Sequence, residues 1–292
     1  MCRWMAWLGQ PVLMDELLFK TKHGIVAQSL HSDLGAEPTN GDGFGVGWYG
    51  TGSGPGLYRS VAPAWSDANL RDLAAHVESP LFLAHVRAAI GSPVQETNCH
   101  PFRHDGWLFV HNGFVAGFER LRRDLMLAVD PDLFPLVQGT TDTEVVLHLA
   151  LTFGLREDPI GALERAVGTI EAVAARRGVP APVQGTFGIS DGTAVWAVRY
   201  ASEGLPRTLF TSCDADAIRR LHPENPRLQR LGHDDRLVVS EPFSDLPGLW
   251  REVPPGTAVT VRHGDVLEER PFTPRERAVS VATGPIPDTA RG

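Results

Sequence analysis

The rhythm of apolar and polar positions changes several times along the chain. Short runs rich in Val, Phe, Trp and Tyr and bounded by Gly, Pro or Asp recur at 57–63 (LYRSVAP), 81–88 (LFLAHVRA), 106–113 (GWLFVHNG), 192–201, 207–213, 235–243 and 256–272. They predict strands, and HGDV inside the last run reads as a hairpin turn. A further apolar, strand-like run, MCRWMAWLG, opens the chain. Helical periodicity predicts helices near 68–77, 118–128, 142–154 and 160–176. The third begins Thr141-Asp142-Thr143-Glu144, a capping-box pattern ahead of VVLHLALTF. The glycine-dense segment 40–56 implies tight turns beside a strand. From 273 onward no core pattern remains, so residues 273–292 are expected to form a disordered tail. Strands come in groups with helices between the groups, which predicts an α+β fold.

Composition narrows the partners. A chain of 292 residues has ample material for one large core or two small ones. The net charge of −8 disfavours a nucleic-acid partner, because phosphate binding needs a concentrated positive surface. Lys20 and Lys22 are the only lysines, a bias that reads as compositional rather than functional. No apolar run reaches the length of a membrane span. Three cysteines, an odd and sparse set, suggest a reducing compartment and hence the cytoplasm.

Four stretches carry chemistry. The first is Met1-Cys2. Removal of Met1, which a small second residue permits, leaves Cys2 with both a thiol and a free α-amine. Their ordinary pKa values, about 8.5 and about 7.7–8.0, make proton transfer between them nearly balanced. A thiol beside a base is a nucleophile; a cysteine at the edge of a first strand is equally a small hydrophobe. The second is Asn112-Gly113, whose side-chain amide and backbone N–H suit an oxyanion hole, or a hairpin turn. The third is Arg87, whose planar fork fits a carboxylate, or a surface ion pair. The fourth is Asp142, which offers charge to an ammonium, or to the dipole of a helix N-terminus. A carboxylate, an ammonium and an amide together describe glutamine or a γ-glutamyl compound. His85, His100, His104 and His111 raise zinc, but no Cys pair or HExxH motif accompanies them, so neither a metal nor another cofactor is expected. Cys99 and Cys213 read as inert thiols.

The order of these pieces adds a resemblance. Cys2, then His85-Val86-Arg87, then Asn98-x-His100-Pro101-Phe102, then His111-Asn112-Gly113, then Thr141-Asp142-Thr143-Glu144 is similar to the class II glutamine amidotransferases. DGFGVGWY (42–49) resembles their compact stand-alone members. The resemblance spans residues 2–272 and implies a four-layer α-β-β-α sandwich of the N-terminal-nucleophile hydrolase type. It implies Cys2 as nucleophile with its own amine as base, and Asn112 and Gly113 as oxyanion hole. It also implies Arg87 on the substrate α-carboxylate and Asp142 on the α-ammonium. One departure is Ile90, where many relatives carry a Thr that helps hold the carboxylate.

The expected activity is cleavage of the side-chain amide of glutamine or a γ-glutamyl amide through a cysteine thioester. The twenty residues after 272 are expected to be too few for a synthase. Either a separate synthase subunit receives the ammonia or the enzyme simply hydrolyses, and the second is the leading expectation. MCRWMAWLG, RSVAPAW (59–65) and HVRAAIG also resemble the γ-glutamyl amidohydrolase of ergothioneine biosynthesis, which makes a γ-glutamyl sulfur intermediate the alternative substrate. A non-catalytic binding or regulatory subunit is the alternative of another class.

Overall fold

The computed structural model describes residues 2–31, 39–89, 91–264 and 266–276. In chain order the elements are β1 (Arg3–Leu13), α1 (Met14–Leu18), α2 (Ile25–Leu30), β2 (Phe44–Tyr49), β3 (Gly56–Ser60), α3 (Ala68–His76) and β4 (Glu78–Val86). They continue with β5 (Phe102–His104), β6 (Trp107–Val115), α4 (Phe118–Met126), α5 (Asp142–Thr152), α6 (Pro159–Arg176), β7 (Val183–Ser190) and β8 (Ala194–Ala201). The last are β9 (Phe210–Ser212), α7 (Ala215–Leu221), β10 (Arg236–Val239), β11 (Trp250–Glu252), β12 (Thr257–Arg262) and β13 (Val266–Pro271).

Two antiparallel sheets result. Sheet A has the order β11-β9-β10-β1-β4-β2-β3 and sheet B the order β13-β12-β8-β7-β6-β5. Strand alternation divides their side chains among three apolar layers. Along β1, Trp4, Ala6 and Leu8 pack between the sheets with Leu81 and Leu83 of β4, Leu108 and Val110 of β6, and Val195 and Ala197 of β8. Met5 and Trp7 point the other way, into a layer shared with Leu18, Ile25 and Leu70 of α1, α2 and α3. Phe109 and Phe187 point from sheet B into a layer with Leu121, Val146 and Val167 of α4, α5 and α6. Helix, sheet, sheet, helix is the four-layer α+β sandwich expected. Strands covered on both faces read as unbroken apolar runs, which is why β4, β6 and β8 were legible in the sequence.

Other elements were not. β7 was not predicted, since VQGTFGIS carries two glycines and little apolar bulk. Those glycines are set by neighbours: a Cβ on Gly185 would lie 2.4 Å from His111 Nε2, and one on Gly188 would lie 2.9 Å from the Trp4 ring. Segment 44–49, read as turns, is itself a strand because β4 and β3 pair with it on either side. The capping box forms by half. Thr141 Oγ1 accepts from Glu144 N at 3.4 Å, but the Glu144 carboxylate accepts from Gln138 N and Gly139 N at 2.9 and 2.6 Å instead. β12 and β13 form the expected hairpin; Asp265 in its turn lies outside the described residues. Of the expected tail, residues 273–276 run along α6, with Thr273 N and Arg275 N donating to Glu164; residues 277–292 lie outside the described residues. No helix among the described residues is long and apolar enough to cross a membrane.

Candidate active site

Strand register brings the chemistry together at one end of the inter-sheet layer. Cys2 immediately precedes β1 and is in phase with Trp4, so it faces that layer. Arg3 pairs with Val86, which sets Cys2 level with Arg87 just beyond β4, and Arg87 is in phase with Leu81, Leu83 and His85. From sheet B, Asn112 is in phase with Leu108 and Val110 and faces the same layer. Trp4 Nε1 donates to Thr186 Oγ1 at 2.9 Å, and Thr186 is the register partner of Asn112. The two sheets are therefore pinned together two residues from Cys2 and one strand from Asn112. Cys2 as a residue is half-buried, and its thiol donates toward the Ala88 carbonyl oxygen at 3.6 Å. Burial pushes its thiol pKa up, while the positive charges of Arg87 and Arg3 pull it down.

Asn112-Gly113 is not a turn; both residues sit inside β6. Antiparallel ladders alternate between pairs that exchange hydrogen bonds and pairs that do not. Ala116 N donates to Pro182 O, which puts His111, Gly113 and Val115 in the second class, with their N–H groups turned away from β7. His111 N donates to His100 Nδ1 at 3.4 Å and Val115 N to Asp142 Oδ2 at 2.6 Å. Between them the Gly113 N–H is by the same alternation turned away from β7, and the side-chain amide of the buried Asn112 has no hydrogen-bond partner among the described residues. Gly113 has no space for a side chain, because a Cβ would lie 2.1 Å from Gln184 O.

Arg87 is buried, yet no carboxylate pairs with it among the described residues. Its Nη2 donates to Ser92 Oγ at 2.7 Å and Pro93 O at 3.1 Å, and its Nη1 to Asp42 O at 3.4 Å. Asp42 also accepts from Ala89 N at 2.7 Å, which holds the loop after β4. Nearby arginines differ: Arg3 pairs with Glu241 at 2.6 Å and Arg199 with Glu252 at 2.7 Å. Asn98 joins the Arg87 loop to the start of α5, donating to Pro93 O and Thr140 Oγ1 at 3.0 Å each and accepting from Thr140 N at 2.9 Å. Asp142 opens α5. Its carboxylate accepts from Val115 N and Thr143 N and has no cationic partner among the described residues. An unpaired guanidinium and an unpaired carboxylate thus flank the Asn112-Gly113 donors. The sequence reading missed Ser92 and Thr186 altogether; Asp42 and Asn98 lay in quoted motifs, but nothing local marks which loops they join.

The four histidines do not gather at one point. His85, His100 and His111 cluster in the interior, with the His85 and His100 rings 4.1 Å apart, whereas His104 lies beside Asp105 and His148. Burial lowers the imidazole pKa to about 3 at His85 and to about 4 at His111, and well below the ordinary value at His100. No metal-holding group of three occurs among the described residues. Cys99 is buried and donates toward Ser60 O; it and Cys213 are free thiols, as is Cys2. Met1 and Ile90 lie outside the described residues, so the Ile90 departure has no structural account. A cavity of about 910 Å³ lined by Trp7, Leu17, Leu228 and Trp250 contains none of these site residues.

The sequence profile of the class II glutamine amidotransferases matches residues 21–284. The chain belongs to the class II glutamine amidotransferases. A probable glutamine amidotransferase of Saccharomyces cerevisiae, DUG3, is 31% identical over 302 residues, covering 91% of this chain and 83% of that one. The γ-glutamyl-hercynylcysteine sulfoxide hydrolase of Mycolicibacterium smegmatis is 28% identical, covering 91% of this amidotransferase and 98% of the relative. Among solved structures, a class II domain protein from Silicibacter pomeroyi superposes with a TM-score of 0.69 at 33% identity, covering 94% of this chain and 100% of that one. The glutamine phosphoribosylpyrophosphate amidotransferase of B. subtilis superposes with a TM-score of 0.62 at 15% identity over 50% of its length, a likeness of fold. The family, the enzyme class and the layered fold inferred from the ordered motifs are thereby borne out.

Proposed function

We propose that this amidotransferase hydrolyses the γ-amide of a γ-glutamyl compound, with Cys2 as its N-terminal nucleophile. The carrying observation is the row Arg87–Cys2 facing Asn112 and Gly113. A buried, unpaired guanidinium stands one strand from the sulfur. Across from it stand the Asn112 amide, without a hydrogen-bond partner among the described residues, and the Gly113 N–H, turned away from β7. A buried charge without a partner is costly, and a substrate carboxylate offsets that cost. Asp142 takes the α-ammonium.

In this reading, removal of Met1 frees the Cys2 amine. The amine takes the thiol proton as the sulfur adds to the γ-amide carbon. Negative charge collects on the carbonyl oxygen, where Asn112 Nδ2 and the Gly113 N–H donate to it. The proton then passes to the amide nitrogen, the C–N bond breaks, and an amine leaves a γ-glutamyl thioester. Water, deprotonated by the same amine, adds to the thioester carbon; the C–S bond breaks, sulfur regains its proton, and glutamate departs. The γ-glutamyl-hercynylcysteine sulfoxide hydrolase relative supports a γ-glutamyl substrate and release of the amine to water rather than to a synthase subunit. The three free cysteines go with a cytoplasmic setting.

The test is glutamate release from glutamine and γ-glutamyl amides by protein of known intact mass. Protein beginning at Cys2 is expected to be active, and protein retaining Met1, or carrying Cys2→Ala, inactive. Cys99→Ala and Cys213→Ala should keep most activity. Equal activity with and without Met1 would rule out the N-terminal amine as base.

A further inference from the structure

A second unpaired arginine stands on the opposite side of Cys2. Met5 pairs with Val239 of β10, and Val239 pairs with Phe210 of β9. Three residues before Met5 is Cys2, and three residues before Phe210 is Arg207. β1 and β9 run in the same direction, so the register carries Cys2 and Arg207 to the same end of sheet A, two strands apart. Hydrogen bonds hold the chain in that register: Ser240 N donates to Trp4 O at 3.0 Å, and Thr208 Oγ1 to Ser240 O at 2.8 Å. Arg207 is in phase with Leu209, which packs between the sheets, so it shares the face of Cys2 and Arg87. Strands lie about 4.8 Å apart, which places Arg87 about 5 Å of backbone to one side of Cys2 and Arg207 about 10 Å to the other.

Partnership separates this arginine from its neighbours. Arg3 and Arg199 are neutralised by Glu241 and Glu252. Arg199 Nε donates to the Arg207 carbonyl oxygen at 2.8 Å and holds its backbone. The Arg207 guanidinium has no carboxylate among the described residues, and its Nε is buried without an acceptor. Burial, and then the charge of Arg3, lower its proton affinity.

We propose that Arg207 binds a carboxylate carried by the amine half of the substrate, so that γ-glutamyl amino acids or peptides are preferred over glutamine. This rests on the amidase reading above. With the scissile carbonyl at Cys2 and the α-carboxylate toward Arg87, the amine half extends away from Arg87, along the row to Arg207. Glutamine releases ammonia and has nothing that reaches a guanidinium two strands away.

Binding and chemistry are measured separately. Calorimetry on the Cys2→Ala protein uses γ-glutamylglycine and γ-glutamylglycinamide, which differ only in the leaving-side charge. The first is expected to bind about 10- to 100-fold more tightly, and Arg207→Gln to bring the two within about threefold while Arg207→Lys keeps part of the gap. Equal affinities, or a gap that survives Arg207→Gln, would overturn the assignment. Glutamate release by the matured wild-type protein tests the underlying reading. No release from either compound, with the binding gap intact, refutes the amidase reading and leaves Arg207 as a carboxylate site.

Discussion

Trp4 Nε1 donates to Thr186 Oγ1 across the inter-sheet layer at 2.9 Å, with both residues fully buried. This bond is where the strand carrying Cys2 meets the strand beside Asn112. Trp4→Phe keeps most of the packing but strands the Thr186 hydroxyl, at about 1–2 kcal/mol. Thermal melts should show a lower Tm. The kcat at saturating substrate should fall about tenfold or more, because small displacements between nucleophile and oxyanion donors are costly. A lower Tm with unchanged kcat would make the bond a support for the fold alone.

Asn112 is expected to act in the transition state. Its amide has no protein partner and faces the layer in which Cys2 lies, so its donors are free for the oxygen that becomes negative as the sulfur adds. Asn112→Ala should lower kcat by about 10²–10³, the effect of removing one such donor, with KM within a few-fold. Steady-state kinetics separate the two parameters, and a raised KM with normal kcat would move Asn112 into recognition. Gly113 resists this test, since Gly113→Ala puts a Cβ 2.1 Å from Gln184 O and should fail to fold.

Arg87 and Asp142 are expected to read the two ends of the glutamyl group. Arg87→Gln and Asp142→Asn should each raise KM for γ-glutamyl substrates about 10- to 100-fold, the loss of one charge-assisted contact. Asp142→Asn keeps an acceptor for Val115 N, so the link from α5 to β6 survives in part. Ser92→Ala, which removes the hydroxyl bonded to Arg87 Nη2, should raise KM a few-fold. Simple amides without the α-charges should be little affected by any of the three. Equal losses for both substrate types would assign these residues to the fold.

The buried imidazoles make the protein acid-sensitive. His85 and His111 stay neutral in the native state down to about pH 3 and about pH 4, whereas in the unfolded chain they take up protons below about 6.5. As pH falls through that window the unfolded state binds more protons, so stability drops. Each imidazole contributes about 1.4 kcal/mol per pH unit. Urea midpoints at pH 7, 6 and 5 should fall progressively, and His85→Gln should flatten the slope. A midpoint constant from pH 7 to pH 5 would contradict the burial of these rings.

The sequence by itself determined the family and the layers of the fold. It also named Cys2, Arg87, Asn112, Gly113 and Asp142 as candidates, because residue types and their order are local properties of the chain. β4, β6 and β8 were legible because burial on both faces writes an unbroken apolar run. Only the tertiary structure decided which polar groups lack a partner. Arg3, Arg87, Arg199 and Arg207 look alike in the sequence. Glu241 and Glu252, distant in the chain, neutralise two of them, and the other two stand on either side of Cys2, one and two strands away, without a carboxylate among the described residues. β7 escaped for the same reason. Its glycines record the close approach of His111 and Trp4, residues distant in the chain. Whether a charge is satisfied, or a glycine marks a turn or a crowded strand, depends on neighbours that only folding supplies.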